Sequence, residues 1–581
     1  MQLDDICQLP LGQVIQMAEQ LLRTHRAQDA AGLYAVWGKG NTSSRERHVA
    51  YFNQGVIYYT LGDMPAAQAA YESSLEVWSD FPHARINLGL VLERQGLSDQ
   101  ALAQWQQVVG DAAMQVIALN HRGRLYEALR QYAEAEEVLT QSLHLNPHQP
   151  DAIQHWVHLR QKQCKWPVMQ ALPNLSVNRM LANTSPLAML SLHDDPALQM
   201  MAAQLFIKRK FDLPMSRMCP LEGYSHARVR VGYLSGDLCT HAVGLLLADL
   251  IESHDRERFE IFAFDYSPED GSPYRARLKR SFEHFISVAN MSDAQAAQAI
   301  ADQEIDVLID LHGLSLGARP GILAQRPAPH QGTYLGFMGT TGFPWIDFVV
   351  TDRYVFPDRL IPYYSERPLY VDGCVLPITH DPIEPSQETR GSLGLPEDAF
   401  VLVCFNNVYK FNPELFSVWM RVLKQVDDAV LWLLDDNDSA TQKIQQHVAL
   451  HGIAIERVVF AKRTSHLNYR ARLQIADLYL DTTPYNAGST ARDVVDAGLP
   501  MVTFSGQTVV SRMAGSLLNS LGLSELVAHD AHAYEQLILA LANDRSRLAT
   551  YRHTLLQSAP QRAGASARLT KNLEQQLLTL L

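Results

Sequence analysis

The chain has 581 residues, room for three or four domains at roughly 150 residues each, which excludes a single small binding module. Hydrophobic residues make up 47% and charged residues 19%, a composition that builds large cores and excludes disorder as the main state. Lys and Arg total 49 against 62 Asp and Glu, so the formal charge is −13, the wrong sign for a surface that binds nucleic acid or an anionic membrane.

Cys7, Cys164, Cys219, Cys239, Cys374 and Cys404 show no CxxC spacing and no metal-ligand spacing with histidine, and are expected as free thiols of a reducing cytosol. The N-terminus, MQLDDICQLP, lacks the basic and apolar regions of a signal peptide, and GLLLADLI and FVLVCF are too short to span a bilayer. The expected compartment is the cytoplasm.

A period of 34 runs through the first 150 residues. Gly55, Gly89 and Gly123 stand 34 apart, followed at fixed offsets by Tyr58, Leu92 and Tyr126, by Ala67, Ala101 and Ala135, and by Tyr71, Trp105 and Leu139. This is the tetratricopeptide pattern, in which small residues let two antiparallel helices approach and large ones fill the gap between them. Gly62 and Gly96 mark the inter-helix turn, where the last copy has Arg130. The flanking segments, before residue 50 and around 150–162, fit less well and are expected as capping units. Such arrays hold peptides in a concave groove.

From about residue 226, short β-branched runs alternate with helical patterns, the signature of a parallel sheet. VRVGYL, FEIFAFDY, FISVAN, IDVLIDL and QGTYLGF form a first series. The rhythm lapses between about 353 and 396 and restarts with FVLVCF, AVLWLLD, RVVFAK, ADLYLD and PMVTF. The expectation is a helical repeat array followed by an α/β GT-B fold, two Rossmann-like domains facing a cleft. Its boundaries are 1–165 for the repeats, 166–225 for a connecting segment, 226–385 for the first Rossmann-like domain, and 386–581 for the second with its C-terminal helix.

Ligands of open α/β sheets sit beyond the carboxyl ends of the strands. SGDLCTHAVG places Asp237 and His241 after the first strand, and NNVYKFNPELF places Asn407 and Lys410 after FVLVCF. In LDTTPYNAGSTARDVVDAG a small-residue turn feeds a helix, so N–H groups at Gly488, Ser489 and Thr490 are set to cradle a diphosphate, and Asp493 follows one turn later. GLSLG, Gly313–Gly317, matches a hydrolase nucleophile elbow but lacks the following helix and triad order. DDND, Asp435–Asp438, reads as a polar strand end capping a helix rather than a metal-binding acid pair.

VGYLSGDLCTHAVG, GARPGILAQRPAPHQGTYLGFMGTTG, CFNNVYKFNP and LDTTPYNAGSTARDVVDAGLPMVT together resemble the protein O-GlcNAc transferases, over nearly the whole chain. The resemblance implies inverting, metal-independent transfer of a sugar from a nucleotide diphosphate to Ser or Thr of a protein. UDP-GlcNAc is the expected donor, and no metal or other cofactor is implied. His241 matches a sugar-pocket histidine, Asp237 the carboxylate near it, and Lys410 the lysine that stabilises the leaving diphosphate. Ser489, Thr490 and Asp493 match the phosphate-binding hydroxyls and the ribose-binding aspartate. Arg326, Gly336 and Gly339 match the RPAP and glycine-rich loop on the sugar side.

Asn407 stands where the family usually has glutamine, and Gly488 where the animal enzymes have histidine. Tyr469 aligns with a histidine near the uracil and still offers a π face for a base, while His466 aligns with a phosphate-side lysine. These departures keep other readings open: GDP-fucose or UDP-glucose as donor, Asn as acceptor, or a non-catalytic repeat scaffold. The implied partners are the nucleotide sugar and a protein or peptide held by the repeats. The sequence leaves oligomeric state open.

Overall fold

The computed structural model describes residues 3–211, 215–378 and 381–581. The chain divides into two compact units: one runs to Leu159 and includes Gln170–Val177, and the other comprises Arg160–Met169 and everything from Asn178 onward.

The first unit is built of helices, apart from a short antiparallel bridge between Leu172 and Leu175. Helices α1 (Leu11–Arg23) and α2 (Ala27–Gly40) precede three repeat pairs: α3 (Arg47–Leu61) with α4 (Met64–Val77), α5 (Pro82–Arg94) with α6 (Ser98–Gln106), and α7 (Ala112–Ala128) with α8 (Tyr132–Leu145). Local chemistry starts them: the carboxylates of Asp63 and Asp111 accept the Ala66 and Met114 N–H groups at the heads of α4 and α7.

The 34-residue glycines are explained by what a Cβ would meet. One on Gly55 would lie 2.6 Å from the Tyr71 ring, on Gly89 2.2 Å from Trp105 Nε1, and on Gly123 2.7 Å from Leu139. Each glycine therefore makes room for the large residue sixteen positions on, and Ala67, Ala101 and Ala135 are fully buried beside them. Gly62 and Gly96 turn at φ +79 and +78, and Arg130 holds the same left-handed conformation at φ +62.

The second unit contains two parallel sheets. The first has β1 (Val229–Ser235), β2 (Phe259–Asp265), β3 (His284–Ser287), β4 (Val307–Asp310), β5 (His330–Thr333), β6 (Phe348–Asp352) and β7 (Arg367–Val371), in the order β3-β2-β1-β4-β5-β6-β7. The second has β8 (Phe400–Cys404), β9 (Ala429–Asp435), β10 (Val458–Lys462), β11 (Leu478–Leu480), β12 (Met501–Phe504) and β13 (Val527–Ala528), in the order β10-β9-β8-β11-β12-β13. Helices cover these strands, so β4, β8 and β11 are buried along their whole length and read as apolar runs rather than alternating ones. The strand order reverses between β1 and β4 and again between β8 and β11, and these two switch points create the crevices.

The lapse at 353–396 is not all linker. β7 lies within it as the edge strand of the first sheet, and QGTYLGF keeps strand geometry only to Thr333. Segment 166–225 holds three helices, Val177–Asn183, Pro186–Leu192 and Pro196–Lys210. The Asp194 carboxylate, between the last two, accepts from the Gln507 N–H and from Thr508 and Ser511 in the loop after β12. At the other end of the chain, the C-terminal helix Ala565–Leu578 returns to the first sheet's side, where Glu574 meets His254 at 2.8 Å.

The six cysteines are thiols outside any disulfide. Among the described residues, no helix is long and apolar enough to cross a membrane.

Candidate active site

The loops after β1 and β8 and the turn after β11 converge at the two switch points. After β1 the chain passes Gly236 and Asp237 to His241, which caps α9 (Ala242–Glu252) by accepting the Val243 N–H at 3.4 Å. Gly244 is required there, because a Cβ on it would sit 2.2 Å from the Cys239 carbonyl oxygen. Asp237 Oδ2 lies 3.3 Å from His241 Nδ1. Facing this loop is Gly336, where a Cβ would come within 1.7 Å of the Leu311 carbonyl oxygen.

Lys410 ends a short 3-10 turn after β8, and α10 (Pro413–Gln425) follows with Asn412 as its cap; further on, α11 (His466–Leu473) carries His466 and Tyr469. Its ammonium donates to the Asn486 carbonyl at 3.1 Å and lies 4.1 Å from the Tyr485 ring centroid, with only 8% of the residue exposed. Burial pushes its pKa down to about 8, and Asp481 opposes that shift. Asp481 in turn fixes the turn after β11: its carboxylate accepts the N–H groups of Thr482 and Ala487, each at 2.8 Å, and Thr503 Oγ1 at 2.7 Å. That turn leads into α12 (Ser489–Asp496), whose cap, Gly488, has no side chain to cover the first N–H groups.

Two cavities meet at the head of this helix. The larger, ≈ 510 Å³, is lined by Asp237, His241, Gly336, Asn407, Lys410, Gly488, Ser489 and Thr490 among others. The smaller, ≈ 350 Å³, is lined by Phe405, Leu434, His466, Tyr469, Asp493 and their neighbours. Ala242, Phe405, Asn407, Ser489 and Thr490 belong to both, so the two form one cleft with the helix N-terminus at its waist. In the smaller cavity the rings of His466 and Tyr469 stack at 5.9 Å between centroids, and Asp493 Oδ2 lies 3.3 Å from His466 Nε2.

Arg326 and Gly339, expected on the sugar side, are not among the residues that line either cavity. Arg326 is a strut at φ +41, its guanidinium on the Asp347 carboxylate at 2.9 Å and on the carbonyls of Trp345 and Pro329. Gly339 packs under Phe337 and Leu190. The RPAP arginine thus sets the path of its own loop without lining either cavity.

Sequence reasoning missed His312, Arg463, Arg492 and Leu187. His312 follows β4, and its Nε2 lies 3.3 Å from Asp237 Oδ2. Arg463 holds the Asn407 amide oxygen at 3.0 Å and pairs with Asp436. Arg492 donates to the Leu245 carbonyl at 2.7 Å, joining α12 to α9. His312 and Arg463 lie within two residues of a strand end, the one signal that could have marked them. In DDND, Asn437 caps the next helix through the Ala440 N–H and Asp435 accepts from Thr441, as a capping strand end requires. Among the described residues, no group of three or more His, Cys, Asp or Glu is arranged to hold a metal.

Comparison with known proteins agrees with this architecture. The family model for glycosyl transferase family 41 matches residues 196–385 and 379–563, and a tetratricopeptide repeat model matches 52–107 and 94–150. A probable UDP-N-acetylglucosamine–peptide N-acetylglucosaminyltransferase SEC of Arabidopsis thaliana is 34% identical over 328 residues, 55% of this chain and 34% of the relative. The UDP-N-acetylglucosamine–peptide N-acetylglucosaminyltransferase of Caenorhabditis elegans is 26% identical over 438 residues, 56% of this chain and 38% of the relative. The chain thus matches little more than a third of the length of these curated relatives. Among solved structures, a Lys-to-Met variant of the Thermobaculum terrenum O-GlcNAc transferase superposes with a TM-score of 0.67 at 25% identity, covering 92% of this chain and 98% of that one. With a family model spanning most of the second unit and repeats matching the first, the chain belongs to glycosyl transferase family 41.

Proposed function

We propose that the chain transfers a sugar from a nucleotide diphosphate to a Ser or Thr hydroxyl of a protein, with UDP-GlcNAc the first donor to test. The observation that carries this reading is the waist of the cleft, where the uncovered N-terminus of α12 and the Lys410 ammonium face the same space. Backbone N–H groups, the positive end of the helix dipole and a buried cation together suit a diphosphate. The nucleoside then fits the smaller cavity, with the base against Phe405 and Tyr469 and the ribose hydroxyls on Asp493. The sugar fits the larger cavity, between Gly336 and the Asp237–His241 pair.

As the bond between sugar and diphosphate breaks, negative charge grows on the phosphate, and Lys410 is already in place to stabilise it. This charge supplies what a divalent metal otherwise would, so the reaction is metal-independent. The printed names of the Arabidopsis and Caenorhabditis relatives, which specify UDP-N-acetylglucosamine and a peptide, support the choice of donor and acceptor. The tetratricopeptide repeats are the natural holder of that polypeptide, and the cytoplasm its compartment.

The test is incubation of the full chain with radiolabelled UDP-GlcNAc and a panel of Ser/Thr-rich peptides, with and without EDTA. UDP release and labelled peptide in equal amounts under both conditions are expected. A strict metal requirement would refute metal independence, and no nucleotide release from any UDP- or GDP-sugar would refute the transferase reading.

A further inference from the structure

Among the described residues, the Lys410 ammonium is buried without an ion-pair partner, its side chain donating to the Asn486 carbonyl at 3.1 Å. An ammonium has three N–H groups, so that bond leaves two. The Tyr485 ring lies against it, with Nζ 4.1 Å from the centroid, inside the range of a cation–π contact.

Asp481 is the carboxylate whose charge reaches Lys410, and it is committed elsewhere. It accepts the N–H groups of Thr482 and Ala487, the Thr503 hydroxyl, and the Asn406 amide at 3.2 Å. These donors occupy the roughly four lone-pair sites of a carboxylate, so Asp481 steadies the turn instead of pairing with the lysine. The ring is itself fixed. Thr482 Oγ1 donates to the Tyr485 carbonyl at 2.6 Å, and the Tyr409 ring meets Tyr485 edge-on, 6.2 Å between centroids at 74°.

A carboxylate and a ring hold a cation with different consequences. A carboxylate in contact cancels the ammonium's charge, and an incoming phosphate must displace it or share it. A ring has no net charge: its quadrupole attracts the cation, whose full charge still acts on an anion elsewhere in the cavity.

We propose that Tyr485 is the positioning residue of Lys410: its ring stands in for a counter-ion, holding the ammonium in place while leaving its charge for an anion in the cleft. On the transferase reading, on which the last clause rests, that anion is the leaving diphosphate.

The titratable groups around the ammonium are Asp481 and Tyr485 from the turn after β11, Cys404 from the end of β8, Tyr409 beside it, and Asp237 and His241, which line the same cavity. Burial raises the Cys404 thiol and the Tyr409 and Tyr485 hydroxyls, the last to about 12, so these three stay neutral near pH 8. Burial also raises the Asp481 carboxyl, against the pull of its hydrogen bonds and of Lys410.

The test compares Tyr485→Leu and Tyr485→Phe with wild type in the full chain. One readout is the pH dependence of Lys410 acetylation by trace acetic anhydride, followed by peptide mass spectrometry, which reports the free amine without any turnover. The other is kcat/KM for UDP release from UDP-GlcNAc across the same pH range. The wild-type acetylation midpoint should lie at about 8. Tyr485→Leu removes the π face and should lower that midpoint by about one pH unit, the size of a cation–π contact to a desolvated ammonium. Its kcat/KM should then fall about tenfold at pH 8.5 and less than about threefold at pH 6. Tyr485→Phe keeps the ring and should hold the midpoint within about 0.3 unit of wild type.

If Tyr485→Leu fails to fold, fluorinated phenylalanines at position 485 replace it. Each fluorine drains the π face at nearly constant size, so the midpoint should fall in step with their number. An unmoved or raised midpoint in folded Tyr485→Leu, or an equal drop in Tyr485→Phe, overturns the role of the ring. So does a kcat/KM loss of the same size at pH 6 and pH 8.5, because lost packing acts at every pH. If the midpoint shifts as stated while wild type releases no nucleotide from any UDP- or GDP-sugar, the transferase reading falls and the hold of the ring on the cation stands.

Discussion

Removing the Lys410 ammonium should slow sugar transfer by about a thousandfold and at the same time stabilise the empty protein. The leaving diphosphate gains close to one negative charge. A unit pair about 4 Å apart at an effective dielectric of about 20 interacts by about 4 kcal/mol, equivalent to roughly a thousandfold in rate. Lys410→Met keeps most of the stem's packing and deletes only the charge. In the empty protein that charge is costly: burial lowers the lysine pKa from 10.5 to about 8, a difference worth roughly 3 kcal/mol.

The sign follows from proton counting. Between pH 8 and 10.5 the unfolded chain holds one more proton than the native one at this site, so wild-type stability rises with pH across that window. Lys410→Met should therefore melt higher than wild type at pH 7, with the gap closing toward pH 10. Wild-type kcat/KM should decline as pH rises above about 8, where the free enzyme loses the ammonium. The assays are steady-state kinetics at saturating donor and thermal melts across pH. A folded Lys410→Met protein with near wild-type turnover would refute the leaving-group role, and a lower melting point at pH 7 would refute the cost assigned to burial.

Gly89→Ala should destabilise the repeats by about 1–3 kcal/mol, because its Cβ would sit 2.2 Å from the Trp105 ring in a packed core; urea unfolding of the chain reads this. Arg130→Gly should act the other way, adding about 0.5–1 kcal/mol by relieving a left-handed turn at φ +62, measured by the same unfolding curve. Asp493→Asn should weaken UDP binding about tenfold in calorimetry while leaving kcat at saturating donor within about twofold, since a ribose contact serves ground and transition states alike.

The fold was legible where one residue type has one physical job. Each repeat glycine and the large residue sixteen positions on are two halves of a single helix contact, so their spacing alone discloses the pair. Strand-end loops were legible because apolar runs such as FVLVCF are buried on both faces and end abruptly in polar residues. β7 escaped because an edge strand tolerates Pro368 and polar neighbours, which look like linker. Arg326 misled because its motif is local while its work, holding Asp347, is done away from the cleft. His312 was hidden for a different reason: its partner Gly236 is 76 positions away, and its own neighbours spell a nucleophile elbow that the backbone does not build.

The loop after β1 and the turn after β11 are tied together by a buried contact between their helices. α12 presents its N-terminus to the cleft and α9 carries His241 at its cap, yet the helices belong to different sheets. Arg492 of α12 reaches the Leu245 carbonyl of α9 at 2.7 Å, and the Tyr274 hydroxyl reaches the same carbonyl at 2.9 Å. Arg492 is buried, and its guanidinium also lies 3.5 Å from Asp493, so the cleft carboxylate and the inter-sheet bond share one cation. Breaking such a bond would leave a charge buried with one partner fewer, a cost of several kcal/mol that opposes separation of the two helices. The distance between the N-terminus of α12 and the Asp237–His241 pair is thereby held by buried electrostatics instead of by loop length, as the proposed transfer between donor and acceptor needs.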